Sequence, residues 1–264
     1  MKKYEIRPHF LDSTSNDRLE MKVVLGINIF IIVFCLTYLF ERLQAVGGAW
    51  RVGGGWYEGL ILILVGYFVA DFMSGLVHWS IDTWFDEMRL GRIVSIAREH
   101  HTHPQNILGY GFLEHAALGS VGSVVLMGPT VLLTSTFQGD TSWCLMVIWT
   151  VTATCLLFGT SFHNLAHRRT SNKLLLWLQR AGFVISPKHH WAHHRVQTIR
   201  YCTISGWADH VCDALRVWRG LEILVRKLSG ATPRANDSEW QRIFLETGTL
   251  TPPSILPEKG YGAQ

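Results

Sequence analysis

Four apolar windows, Lys22–Phe40, Tyr57–Trp79, Ala116–Phe137 and Trp143–Phe162, limit what this 264-residue chain can become. Each approaches the roughly 20 consecutive residues that carry an α-helix across the hydrocarbon core of a bilayer. Lipid offers backbone amides no partner, so such windows satisfy themselves as helices, and the expected fold is all-α with about four transmembrane helices. Composition agrees, with 48% hydrophobic against 17% charged residues and a mean hydropathy of +0.17, more apolar than an ordinary soluble domain. The first window is not expected to be a cleaved leader, because its apolar run is about twice a typical h-region and "CLTYLFERLQ" has no small-residue cleavage site. Trp50, Trp56, Trp79, Trp84 and Trp143 flank the windows where interfacial aromatics usually stand.

Lys and Arg orient the spans. Five lie up to Lys22, three (Arg89, Arg92, Arg98) follow the second window, and fourteen lie from His163 onward, whereas the opposite connections hold only Arg42 and Arg51. The positive-inside rule then puts both termini in the cytosol. The net charge of +4 sits on the side facing anionic headgroups, which accounts for it without nucleic acid. Five cysteines without a CxxC read as reduced packing residues. The chain divides into an N-terminal arm (1–21), a membrane domain (22–242) and a flexible tail (243–264). Within the domain, "KLLLWLQRAGFVIS" (173–186) is too short to span and reads as an amphipathic helix at headgroup level.

Twelve of the thirteen histidines fall at or near one side of this topology. His163/His167 in "HNLAH", and His189/His193 with His190/His194 in "HHWAHH", are i, i+4 pairs, each able to hold a metal from one helix face. His100 and His101 are adjacent. In the second window Asp71, Gly75, His78 and Asp82 follow an i, i+4, i+7, i+11 stripe. A carboxylate at the depth of Asp71 is costly in lipid, so it is either functional or tied down by an Arg or a kink. Gly75 leaves room for a close approach. His9 reads as a surface residue, His103 and His210 as surface or capping residues, and His115 as either structural or a partner of the ligands. Imidazoles satisfied singly in a core would not segregate in this way.

Nearly all-nitrogen ligation suits Fe, Zn, Cu or Ni. A catalytic zinc takes about three protein ligands, whereas eight or nine histidines suit two metals, giving a cytosolic histidine-rich di-metal cap. Beneath spans able to guide an acyl or alkyl chain, two metals fit oxygen chemistry on lipid. A zinc membrane hydrolase is disfavoured by the ligand number and the lack of HExxH; a haem carrier with paired histidines is a further alternative.

The segments "ADFMSGLVHWSIDTW" (70–84), "REHHTHP" (98–104), "FHNLAH" (162–167), "HHWAHHR" (189–195), "YCTISGWAD" (201–209) and "WRGLEILVRKLSGATPRANDSEW" (218–240) together resemble the plasmanylethanolamine desaturases. These belong to the lipid desaturase family, which also includes a plant plastid enzyme making a trans-3 double bond in phosphatidylglycerol. The resemblance covers roughly residues 55–242. It implies a membrane di-iron oxygenase that uses O₂ and electrons from cytochrome b5 or an equivalent carrier to form the vinyl ether of a plasmalogen from an ether phospholipid. It also implies His78, His100, His101, His163, His167, His189, His190, His193 and His194 as iron ligands. Of these, His189 is the least needed, because His190-Trp-Ala-His193-His194 already supplies an HxxHH pattern. Asp71, Asp82 and His115 are expected to ligate or to bond the ligand histidines. The chain departs from the family at Tyr110-Gly111 and His115-Ala116, and at "RVQTIR" (195–200), where members often carry further His, Asp or Asn residues. Desaturation of an ester-linked acyl chain is the alternative activity.

Overall fold

The computed structural model describes residues 15–50, 56–85, 97, 100, 101, 104, 106–109, 112–136 and 139–233. The tail (243–264), most of the arm (1–21) and His103 lie outside them. The regular structure among the described residues is helical, with no strand among them. Four long helices cover the apolar windows, the first two overrunning theirs and the fourth stopping short of its end: α1 (Ser15–Trp50), α2 (Trp56–Thr83), α3 (Phe112–Thr136) and α4 (Gly139–Leu157). After them come α5 (Gly159–His167), α6 (Lys173–Arg180), α7 (Pro187–Arg195), α8 (Trp207–Ala214) and α9 (Val217–Ser229).

In the bundle, α1 packs on α3 and α4, α3 on α4, and α4 on α2. Ile32, Cys35, Met127, Met146 and Ala153 form its buried centre. Close packing depends on small residues: a Cβ at Gly66 of α2 would lie 2.7 Å from the Ile148 carbonyl oxygen, and one at Gly119 of α3 only 2.2 Å from that of Leu157. Small residues at such crossings let backbones approach. Polar links are few and paired, Asn28 Nδ2 donating to Ser120 Oγ (2.8 Å) and Thr152 Oγ1 to the Gly66 carbonyl (3.0 Å). Because the obstacle at Gly119 is backbone, Gly119→Ala should push α3 from α4 at a cost of about 1–3 kcal/mol. A lowered melting temperature in detergent would register that cost, and an unchanged one would contradict this packing.

By length and composition Tyr57–Thr83 is long and apolar enough to cross a membrane, and Trp143–Leu157 with Gly159–His167 makes a second candidate when counted as one bent span. The apolar parts described in α1 and α3, Lys22–Tyr38 and His115–Pro129, are shorter. The fourth window, expected as one span over 143–162, is broken: the chain bends by 46° after Leu157. There the Phe158 N–H turns to the Cys155 carbonyl, and Gly159 begins the next helix. The stretch expected as one amphipathic helix over 173–186 is helical only to Arg180. Asn172 Oδ1 caps its start through the Leu175 N–H (3.1 Å), and Gly182, at φ +78°, turns the chain out of it. Its Leu174 and Trp177 are exposed, as on a headgroup-level helix.

Beyond α7 the chain folds back on α2. The α8 helix packs against α2, and the indole of Trp218 at the start of α9 stacks on Phe72 and Trp79. Trp79, expected at a membrane interface, is therefore core, 4% exposed between Trp84 and Trp218. All five cysteines are free thiols. Burial pushes the Cys202 thiol up and Cys212 up to about 11, so neither offers a thiolate at neutral pH.

Candidate metal centre

The C-terminal ends of α2 and α4 and the N-terminal end of α3 meet at one end of the bundle, and the histidines gather there. The bend after Leu157 aims α5, whose i, i+4 register puts His163 and His167 on one face. The α7 helix is started by Ser186, whose Oγ accepts the His189 N–H (3.2 Å), and by Pro187, whose fixed φ suits a first turn. From it His190, His193 and His194 are buried inward.

Two adjoining groups result. The first is His100, His163, His167, His190 and His194, all buried; the second is His78, Asp82, His101 and His193. In each, one ligand atom per residue lies within 4.8 Å of all the others. The groups touch: the rings of His100 and His101 are 4.3 Å apart at their centroids, and those of His78 and His163 are 5.3 Å apart.

In the first group, Nε2 of His163, His167 and His194 approach Nε2 of His190 at 2.8, 2.9 and 3.0 Å. A ring nitrogen has one in-plane direction, holding either a proton or a lone pair. It cannot make three good hydrogen bonds, but it can share a cation with three other lone pairs. Both ring nitrogens of His100 are also buried without a hydrogen-bond partner. Convergence of this kind fits metal ions and is hard to reconcile with a hydrogen-bond network. Burial, with the neighbouring rings adding, pushes His100 and His190 well below the ordinary imidazole value and His194 down to about 2. Neutral imidazoles are the form that binds metal.

In the second group the tautomers are set by backbone. His78 Nδ1 donates to the Tyr201 carbonyl (2.9 Å) and His193 Nδ1 to that of Ile199 (2.7 Å), which leaves both Nε2 lone pairs facing inward. Asp82 Oδ2 lies 3.3 Å from Nε2 of His78 and 3.6 Å from those of His101 and His193.

Three residues expected at the site stand elsewhere. His189 turns from its neighbours, its Nε2 2.7 Å from Asp209 Oδ2. A nine-residue helix has two faces, and the carboxylate arriving from α8 captures this one. Asp71, expected to bond the ligand histidines, accepts backbone N–H groups instead, because at its depth those amides have no other partner. His115 takes the Asn164 side-chain amide on Nε2 (2.7 Å), and Asn164 also donates to the Ile107 carbonyl (2.9 Å). Lying between His163 and His167 in sequence, Asn164 thus ties the outer face of α5 to α3 and the 106–109 turn. The carbonyls of Ile199 and Tyr201, with Asn164 and Asp209, are parts of the site that the histidine pattern did not reveal; the prior signals were "YCTISGWAD", which holds Tyr201 and Asp209, and "FHNLAH", which holds Asn164.

As a class, this is a helical protein whose described residues gather two histidine-rich groups able to hold metal ions at one end of an apolar bundle. A model of the lipid desaturase domain matches residues 67–236, and the chain belongs to that family. Plasmanylethanolamine desaturase 1 of Mus musculus is 33% identical over 190 residues, covering 67% of this chain and 69% of the relative. Plasmanylethanolamine desaturase of Myxococcus xanthus is 29% identical over 205 residues, covering 71% and 69%. Fatty acid desaturase 4-like 2, chloroplastic, of Arabidopsis thaliana is 29% identical over 206 residues, covering 76% and 71%. No solved structure matches the chain. The chain is accordingly a lipid desaturase, an oxidoreductase.

Proposed function

We propose that this enzyme introduces the 1'-2' double bond into the O-alkyl chain of plasmanyl ether phospholipids, giving the vinyl ether of a plasmalogen. The observation that carries the reading is the pair of adjoining ligand groups, eight histidines and Asp82, at the end of an apolar bundle. The two relatives named as plasmanylethanolamine desaturases support the substrate. Two iron ions are the metals, held by His100, His163, His167, His190 and His194 and by His78, His101, His193 and Asp82; when bound they supply the reductive activation of O₂. The reaction balances with O₂, two electrons delivered one at a time by cytochrome b5 or an equivalent carrier, two protons from solvent, and two hydrogens from adjacent chain carbons, giving the double bond and two waters. The protein's part is to hold the alkyl carbons nearest the ether oxygen against the ligand groups.

The membrane reading draws on the Tyr57–Thr83 helix and on exposed Phe30, Phe34, Ile61 and Val125, apolar faces suited to lipid. In that reading α1 to α4, with α5 continuing α4, make four spans of a domain covering 22–242, and both termini and the metal centre are cytosolic. The membrane is the endoplasmic reticulum in a eukaryotic cell or the cytoplasmic membrane in a bacterium.

Expression in cells that make alkyl ether lipids but lack plasmalogens tests the substrate by mass spectrometry of acid-labile phospholipids. Vinyl ethers are expected with the wild type and absent with His190→Ala. The chloroplastic relative named as a fatty acid desaturase favours a second reading, desaturation of an acyl chain as in a trans-3 phosphatidylglycerol. A new unsaturated fatty acid without vinyl ether, from folded and iron-loaded protein, would replace the first reading by that one.

A further inference from the structure

We infer that Asp71, in the apolar stretch of α2, is a positioning residue for the second metal group, acting by pinning the 199–208 loop whose carbonyls aim His78 and His193. The carboxylate is fully buried. Its Oδ1 accepts the N–H groups of Ile204 (3.2 Å), Ser205 (2.8 Å) and Gly206 (3.1 Å), and its Oδ2 accepts that of Ala208 (3.0 Å). About one turn along α2, Ser74 Oγ accepts the Thr203 N–H (3.0 Å). Five N–H groups of the largely irregular backbone from 203 to 208 are thus bonded to one face of a single helix. Such backbone survives at membrane depth only where protein satisfies it.

The same loop faces the metal ligands on its other side. Tyr201 and Ile199 supply the carbonyls that hold His78 and His193 by Nδ1. Gly75 allows the contact: a Cβ there would lie 2.6 Å from Cys202 Sγ and 3.2 Å from its amide nitrogen. On the far side Asp209 Oδ1 accepts the Cys202 N–H (3.0 Å). One stripe of α2 therefore carries an anchor, Asp71 and Ser74, and a ligand, His78, about 10 Å further along the axis from Asp71 at 1.5 Å per residue. The loop transmits the position of the first to the second. With four amides on two oxygens, Asp71 is largely committed to the backbone, which separates its role from that of Asp82. In the first group, His163 and His167 take their spacing from α5, and His190 and His194 take theirs from α7. Loosening the loop therefore withdraws support from the second group first.

The inference rests on the two-iron reading, and its test separates the two. Purified full-length protein in detergent is loaded with ferrous iron and counted for iron per chain, and amide hydrogen exchange is followed over residues 203–208. Wild type should hold two irons. Asp71→Asn, which puts an N–H donor against these amides, should hold about one, with 203–208 exchanging about tenfold faster or more. Two irons with unchanged exchange, or loss of both irons from folded protein, would overturn the inference. If Asp71→Asn does not fold, Ser74→Ala removes only the acceptor of Thr203; faster exchange at 203–204 with a weakened second iron is expected, and unchanged exchange there overturns it. Wild type without iron would sink the two-iron reading, and exchange at 203–208 still decides the anchor: unchanged in Asp71→Asn, it rejects the anchor.

Discussion

His190→Ala should abolish detectable desaturation while its neighbour, His189→Ala, retains both metals and loses less than about tenfold of the activity. The contrast follows from where two consecutive imidazoles point. His190 Nε2 is the atom on which His163, His167 and His194 converge, and the residue is 1% exposed. Alanine removes a donor from the middle of the first group and leaves its four other imidazoles facing an enlarged gap. Loss of partners that merely orient ligands costs about 10–100-fold, so loss of this ligand should exceed about 100-fold. His189 bonds Asp209, and Asp209 keeps a second bond to the Cys202 amide when that ring is removed. Iron content with product formation for the two variants is the measurement. Equal loss of iron from both would mean that α7 is rotated from the register described here.

That contrast marks the limit of what residue spacing conveys. The i, i+4 rule selects pairs on a helix and finds two in "HHWAHH"; it was the HxxHH pattern, not that rule, that marked His189 as the least needed ligand. Which residue turns outward depends on Asp209, about 20 positions further on, whose approach no local pattern encodes. The apolar windows were legible because lipid and bundle packing both demand long unbroken helices. The break after Leu157 was not, because a single Gly159 inside an apolar run is compatible with a straight helix; yet that bend gives His163 and His167 their aim.

Asp71 was legible as an anomaly and not as a role. A carboxylate in an apolar stretch must be compensated, but its partners are main-chain N–H groups of residues 204–208, which carry no side-chain signature. The carbonyls of Ile199 and Tyr201 are hidden for the same reason: any residue can supply one. Trp79 shows the converse, a side chain assigned from its neighbourhood in sequence to an interface and taken into the core by Trp218. Ligand identity is thus written in side chains and can be read from them, whereas ligand orientation is written largely in the backbone of a loop that becomes visible only once α8 and α9 have folded back on α2.

Acid should strip the centre and weaken the apo-protein well before ordinary acid unfolding. Burial holds His100 and His190 neutral far below the ordinary imidazole range, and holds His194 so to about 2. In the unfolded chain each would titrate near about 6.5. Below that value the unfolded state binds protons that the folded state refuses, so stability is fully present above about 6.5 and falls as pH drops toward the folded values. Each histidine contributes a slope of up to about 1.4 kcal/mol per pH unit. Three together can consume the stability of a typical domain, about 5–15 kcal/mol, within a few pH units. Bound metal opposes this near neutrality, because it too requires neutral rings, and gives way once protons outcompete it. Metal-free protein should therefore lose melting temperature steadily from about pH 6.5 downward. Metal-loaded protein should hold level to lower pH and then release its ions over a narrow interval. Melting curves with and without a chelator across pH 7.5 to 4.5 would show this, and a flat profile for the metal-free protein would mean that these imidazoles are solvated in solution.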